Sequence, residues 1–116
     1  MIRRVLQSPD FRRSPVRGLL KRVAWRLRWR VSSTPWVVDS IDGFRIAVPR
    51  SLVGKLIFYQ GPSEPETREL LLRLFRPGMV VLDVGANVGE YTLLAARSVG
   101  LNGKVHAFEP NASLCP

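Results

Sequence analysis

The residues best placed for chemistry form one run, Asp83-Val84-Gly85-Ala86-Asn87-Val88-Gly89, with a second acid, Glu109, twenty residues after Gly89. The run reads as the end of an apolar strand passing through a glycine loop into a helix. Open parallel sheets take ligands outside the carboxyl ends of their strands, where such a loop sits. Gly85 permits a sharp turn and a close approach of ligand to backbone. Gly89 lets the start of the helix lie close. An acid ending the next strand, at the spacing of Glu109, is placed to accept hydrogen bonds from ribose hydroxyls. Taken alone, the loop also fits an ordinary strand-to-helix turn, and Asp83 also fits a residue serving the dipole or cap of the following helix.

The loop chemistry sorts the adenosine cofactors. A dinucleotide fingerprint has glycines at G-x-G-x-x-G; here Asn87 holds the middle position and the spacing is Gly-x-x-x-Gly. A phosphate-binding P-loop needs a lysine and a hydroxyl residue after its second glycine, and Glu90 and Tyr91 stand there instead. Asp83 adds negative charge, unfavourable beside phosphates and favourable beside a cation. S-adenosylmethionine (SAM) carries an ammonium, a sulfonium and a ribose diol. Acids at Asp83 and Glu109 suit it better than NAD or ATP.

The elements that must position these residues follow from periodicity and punctuation. Residues 63–116 read as the opening of a nucleotide-binding fold. Ser63 and Glu66 have capping-box spacing, so a helix is expected to about Arg76, burying Leu70, Leu71, Leu74 and Phe75 and ended by Pro77-Gly78. Met79 to Val84 is nearly continuous apolar sequence, the mark of a strand covered on both faces. A helix from about Val88 to Val99 and a strand from Lys104 to Glu109 complete a βαβ unit with parallel strands and a right-handed crossover. Before it, residues 32–62 read as a lead-in of short strands. Trp36-Val38 and Phe44-Val48 flank the Asp42-Gly43 turn pair, and Leu56-Tyr59 is expected to be a third strand, stopped by Gly61-Pro62.

At this point the sequence resembles a known family. The stretch RPGMVVLDVGANVGEYTLLAARSVGLNGKVHAFEPNA, residues 76–112, resembles the FkbM-type SAM-dependent methyltransferases, and GFRIAVP and GPSEPETRELLLRLFRPG look like that family's lead-in. The resemblance covers roughly residues 36–112. It implies a Rossmann-like methyltransferase fold and O-methylation of a small-molecule or sugar hydroxyl. By position it implies that Asp83, Gly85, Asn87 and Gly89 line the methionine end of SAM, that Glu109 holds the ribose, and that Glu66 is an acid near the cofactor. Glu66 also has the capping-box role, and one rotamer cannot serve both. The family's domain needs about seven strands, whereas this sequence offers two in the βαβ unit. The fold class expected is therefore a truncated α/β opening, preceded by a short β-hairpin region and a basic N-terminal helix. Later strands would supply the adenine pocket, the acceptor pocket and any catalytic base. No catalytic residue is assigned, and this chain alone is expected to have little activity.

The charge belongs to one segment. The 116 residues carry a net charge of +9, and residues 1–30 hold ten of the 18 bases with one acid, Asp10. The remaining eight bases and eight acids cancel. Residues 1–31 thus form a basic arm. From Pro15 onward Val16, Leu19, Leu20, Val23 and Leu27 share one helical face, with Trp25 and Trp29 on the opposite side among the arginines. Three roles fit. The aliphatic stripe could dock on further protein; Arg, Trp and Leu together suit anionic lipid headgroups; or the bases could contact phosphates while the tryptophans stack on nucleobases. An Arg-rich, acid-poor start also resembles a mitochondrial presequence, which nothing else in the sequence supports. The alternative to an enzyme is accordingly a basic module that binds a membrane surface or RNA. The family resemblance points away from nucleic acid and toward a small-molecule acceptor. A cytoplasmic location is expected, with peripheral membrane association through residues 1–30 as the alternative.

Composition excludes other classes. A hydrophobic share of 46% is ordinary for a globular chain. One cysteine, Cys115, permits no internal disulfide or cysteine-based metal cluster, and no metal is expected. No apolar run reaches the length of a membrane-spanning helix. His106 is expected to be a half-buried structural histidine in its strand. Tyr91, near a helix start, is expected to pack.

Overall fold

A computed structural model describes residues 14–114. Cys115, to which no role is assigned, lies outside the described residues. The chain is mixed α/β, with a β-hairpin and a two-stranded parallel sheet. The described residues divide into two compact units, one of residues 14–38 and 47–63 and the other of residues 39–46 and 64–114.

In the first unit, α1 spans Pro15–Val31, with Pro15 at its first turn and Arg28 and Arg30 in its last. Both ends suit the backbone: proline has no amide to leave unpaired, and cations complement the carbonyl end. The packed face is the aromatic one and not the aliphatic stripe. Trp25 is 7% exposed, whereas Leu19, Leu20 and Leu27 are 54–63% exposed. The cause is α2, Leu52–Gln60. Its Phe58 ring lies 5.4 Å from that of Trp25 and 4.5 Å from that of Trp36, and Tyr59 meets Trp25 edge-on at 6.1 Å. Aromatic rings bury more area per residue than leucines and gain from tilted and edge-to-face geometry. Lys21 Nζ also donates to the Tyr59 carbonyl at 2.8 Å.

The segment Leu56–Tyr59, expected as a strand, lies within α2. A four-residue apolar run has no diagnostic period, and the decision came from its flanks. Ser51 Oγ accepts from the Gly54 amide at 3.0 Å, an N-cap, and Gly61, with φ at +93°, ends the helix. The lead-in is therefore a hairpin followed by a helix. Its strands, β1 (Trp36–Asp39) and β2 (Arg45–Val48), fall where Asp42-Gly43 placed them. The Ser40 amide donates to the Phe44 carbonyl across the turn, and Gly43 sits at φ +75°.

In the second unit, α3 spans Pro65–Leu74, β3 Val80–Val84, α4 Glu90–Val99 and β4 Lys104–Phe108. Strands β3 and β4 pair in parallel, Val80 opposite Lys104 through Val84 opposite Phe108, as the βαβ reading requires. Ile46, Leu94, Ala95 and Val99 are buried. The other sheet face is open: Val80, Leu82 and Val84 are 64–81% exposed, so β3 is covered on one face and not on two. Nor does α3 bury a residue; Leu70 and Leu74 are more than half exposed, and Leu71 and Phe75 only half-buried. Among the described residues no further strand pairs with β3 or β4, which leaves these surfaces without neighbours.

The capping box is absent. Pro65 takes the first helical position, which makes Glu64 the cap residue in place of Ser63. Arg68 of α3 grips Asp42 with a two-pronged contact, its Nε 2.9 Å from Oδ2 and its terminal nitrogen on Oδ1. This bond holds the Arg68 guanidinium above its ordinary pKa, so it stays charged.

Candidate functional site

The loop between β3 and α4 is built from backbone that needs unusual dihedrals. Gly85 and Gly89 have φ of +84° and +81°, and Asn87 between them has φ +51°. Only glycine takes such angles freely, and asparagine is among the few other residues that tolerate them. Because Asn87 and Gly89 are both left-handed, α4 starts at Glu90 and not at Val88.

The loop is stitched to the end of β4. The Gly85 and Ala86 amides both donate to the Phe108 carbonyl, at 2.8 and 3.1 Å. Glu109 does the rest. Its Oε2 accepts from the Asn87 amide at 2.7 Å and its Oε1 from the Asn111 amide at 2.8 Å. A single carboxylate thus joins the tips of two neighbouring parallel strands. No atom lies within 4 Å of where a Cβ on Gly85 or Gly89 would stand, so the loop has open space beside both glycines.

Asp83, at the end of β3, is half-buried. Its Oδ2 accepts from the Thr92 hydroxyl on α4. This bond ties strand to helix through a side chain on the first turn of α4, which has no side-chain cap.

Glu66 stands apart from these two acids. It is exposed in the first turn of α3, on an open cleft of about 380 Å³ with Glu64, Pro65 and Thr67. The connection to α4 comes through its neighbour: Glu64 Oε2 accepts from the Tyr91 hydroxyl at 3.1 Å and from Thr67 Oγ1 at 2.9 Å. Sequence reading placed Tyr91 as a packing residue and missed this bond, as it missed Thr92. Only the latter had a signal, a hydroxyl residue in the first turn of the helix that follows an acid-ended strand. His106 is exposed on β4 and not half-buried; it stands opposite Leu82 in the register, itself 66% exposed.

The structure therefore gathers Asp83, Gly85, Asn87, Gly89 and Glu109 around one strand-end loop and leaves Glu66 on a cleft at the start of the neighbouring helix. Among the described residues no group of three or more His, Cys, Asp or Glu side chains could hold a metal. No helix among them is long and apolar enough to cross a membrane. No protein-family model, curated protein or solved structure matches this chain.

Proposed function

We propose that this chain carries the cofactor-binding part of a SAM-dependent methyltransferase that acts on a small-molecule or sugar hydroxyl. The observation that carries the reading is the Glu109 carboxylate, fixed at the tip of β4 by the Asn87 amide of the glycine loop on β3. The open space beside Gly85 and Gly89 and a carboxylate held at the strand tip fit an adenosine cofactor with a ribose diol. The acidic character of the loop favours one that is positively charged.

SAM, when bound, supplies a methyl group made electrophilic by its sulfonium. In this reading Glu109 accepts from the ribose hydroxyls while keeping its two backbone donors. Gly85, Asn87 and Gly89 line the methionine end, and Asp83 faces the ammonium with the carboxylate that Thr92 orients. The resemblance of residues 36–112 to the FkbM-type family supports the same assignment, including a Rossmann-like fold. The part of the chemistry that belongs to these residues is placement. Holding donor and acceptor in line can supply roughly 7–11 kcal/mol of barrier lowering.

Titration calorimetry of the full chain with SAM tests this. Binding by the wild-type chain, weakened by about 1–3 kcal/mol in each of Asp83→Ala and Glu109→Ala, is expected, the scale of a charge-assisted hydrogen bond. No heat from a folded wild-type chain, or wild-type affinity retained in both variants, overturns the proposal.

A further inference from the structure

Helix α1 presents a surface that the proposed cofactor site does not use. Its inward side is filled: Gly18 and Trp25 are buried, the Trp29 indole nitrogen is buried, and the Arg28 guanidinium lies 5.7 Å from the centre of the Trp29 ring. Its outward side is a continuous aliphatic stripe of Val16, Leu19, Leu20, Val23, Leu27 and Val31, each 44–82% exposed. At 100° per residue these six fall within one third of the helix circumference. Arg26 borders the stripe on one side and Arg17 on the other, Arg30 stands within its arc in the last turn, and all three are exposed. The helix holds six bases and no acid.

We infer that α1 is a membrane-surface helix that lies flat on an anionic lipid bilayer, its aliphatic stripe among the acyl chains and Arg17, Arg26 and Arg30 at the headgroup phosphates. Charge selects this occupant. An all-cationic helix with an apolar stripe matches a surface that is anionic above and apolar below. A second copy would set the same arginines against one another. RNA would need exposed rings to stack on, and here the rings are spent on Phe58 and Tyr59 while the outward residues are aliphatic, with no use at a phosphate backbone. At 17 residues the helix runs about 25 Å along the surface.

The inference separates from the cofactor proposal, because it rests on α1 alone. The test is flotation of the full chain with vesicles of phosphatidylcholine alone or of equal parts phosphatidylcholine and phosphatidylglycerol. The wild type is expected to float with the anionic vesicles and to bind neutral ones about tenfold more weakly or less. The doubly substituted Leu20→Gln, Leu27→Gln chain should lose about tenfold or more in binding while keeping the wild-type circular dichroism spectrum, since both side chains are solvent-facing. Arg26→Gln with Arg30→Gln should lose about as much, and added salt should reproduce that loss. Three results overturn the inference. The leucine variant could bind anionic vesicles like wild type. The chain could bind mixed-sequence single-stranded RNA in preference to vesicles, with the leucine variant unaffected. Sedimentation could show a dimer that the leucine variant dissociates, with no vesicle binding by the wild type.

Discussion

Replacing Glu109 with glutamine isolates the one side chain on which the strand-tip arrangement turns. The carboxylate serves two backbone donors at once, the Asn87 amide through Oε2 and the Asn111 amide through Oε1. A carboxamide is nearly the same shape but has one acceptor oxygen; its other terminus is a donor. In Glu109→Gln, one amide keeps a partner and the other faces an N–H. The position is only half-buried, so water can take over part of the lost bond, which holds the cost to about 1–2 kcal/mol. That corresponds to a rise of roughly 5–30-fold in the local opening constant. Amide hydrogen exchange read by NMR resolves it: protection at either Asn87 or Asn111 should fall by that factor while the β3–β4 amides hold theirs. Unchanged protection at both amides would refute the claim that Glu109 fixes the loop, and with it the geometric basis for a ribose-binding carboxylate.

Other outcomes follow from the packing. Trp25→Ala should cost about 3–5 kcal/mol in chemical denaturation, whereas Leu20→Ala, on the exposed stripe, should stay within about 0.5 kcal/mol; the opposite ranking would restore the aliphatic face as the packed one. A double-mutant cycle on Arg68 and Asp42, whose side chains are 22% and 10% exposed, should give a coupling of about 1–2 kcal/mol, and additive single effects would dismiss the pair. Because the Arg68 pKa is raised by Asp42, its share of stability is fully present below the ordinary arginine range and is lost only as pH climbs through the raised value. Melting curves should therefore show no Arg68-dependent loss from neutral pH to about pH 10. Gly54→Ala should destabilise by about 1–3 kcal/mol despite alanine's better helix propensity, since a Cβ there would stand 2.3 Å from the Pro49 carbonyl oxygen; a higher melting temperature would contradict that contact.

Local rules served best where one residue type has few conformations open to it. Asp42-Gly43 placed the hairpin, and Gly85 and Gly89 placed the loop, because their positive φ angles are costly to other residues. The parallel pairing of β3 with β4 was legible because a strand, a helix and a strand in succession leave few other routes. Errors arose where two local rules competed. Ser63 and Glu66 had the spacing of a capping box, but Pro65 claimed the first helical position. Leu56–Tyr59 had strand-like composition, but a serine cap and a terminal glycine enclosed it in α2.

The sequence by itself determined the turns, the strand-loop-helix order and the spacing of Asp83, Gly85, Asn87, Gly89 and Glu109, because dihedral preference and hydrophobic period act over a few residues. Tertiary structure alone decided which side of α1 is inside, what Asp83 and Glu109 hold, and which face of β3 is open. Each of these depends on residues far apart in the chain. Trp25 turns inward because Phe58 and Tyr59, more than thirty positions away, offer it rings; Glu109 is fixed by Asn87, 22 residues before it. A helix or strand carries its apolar and polar faces in its sequence, but which of them is covered depends on the partner the fold brings up against it.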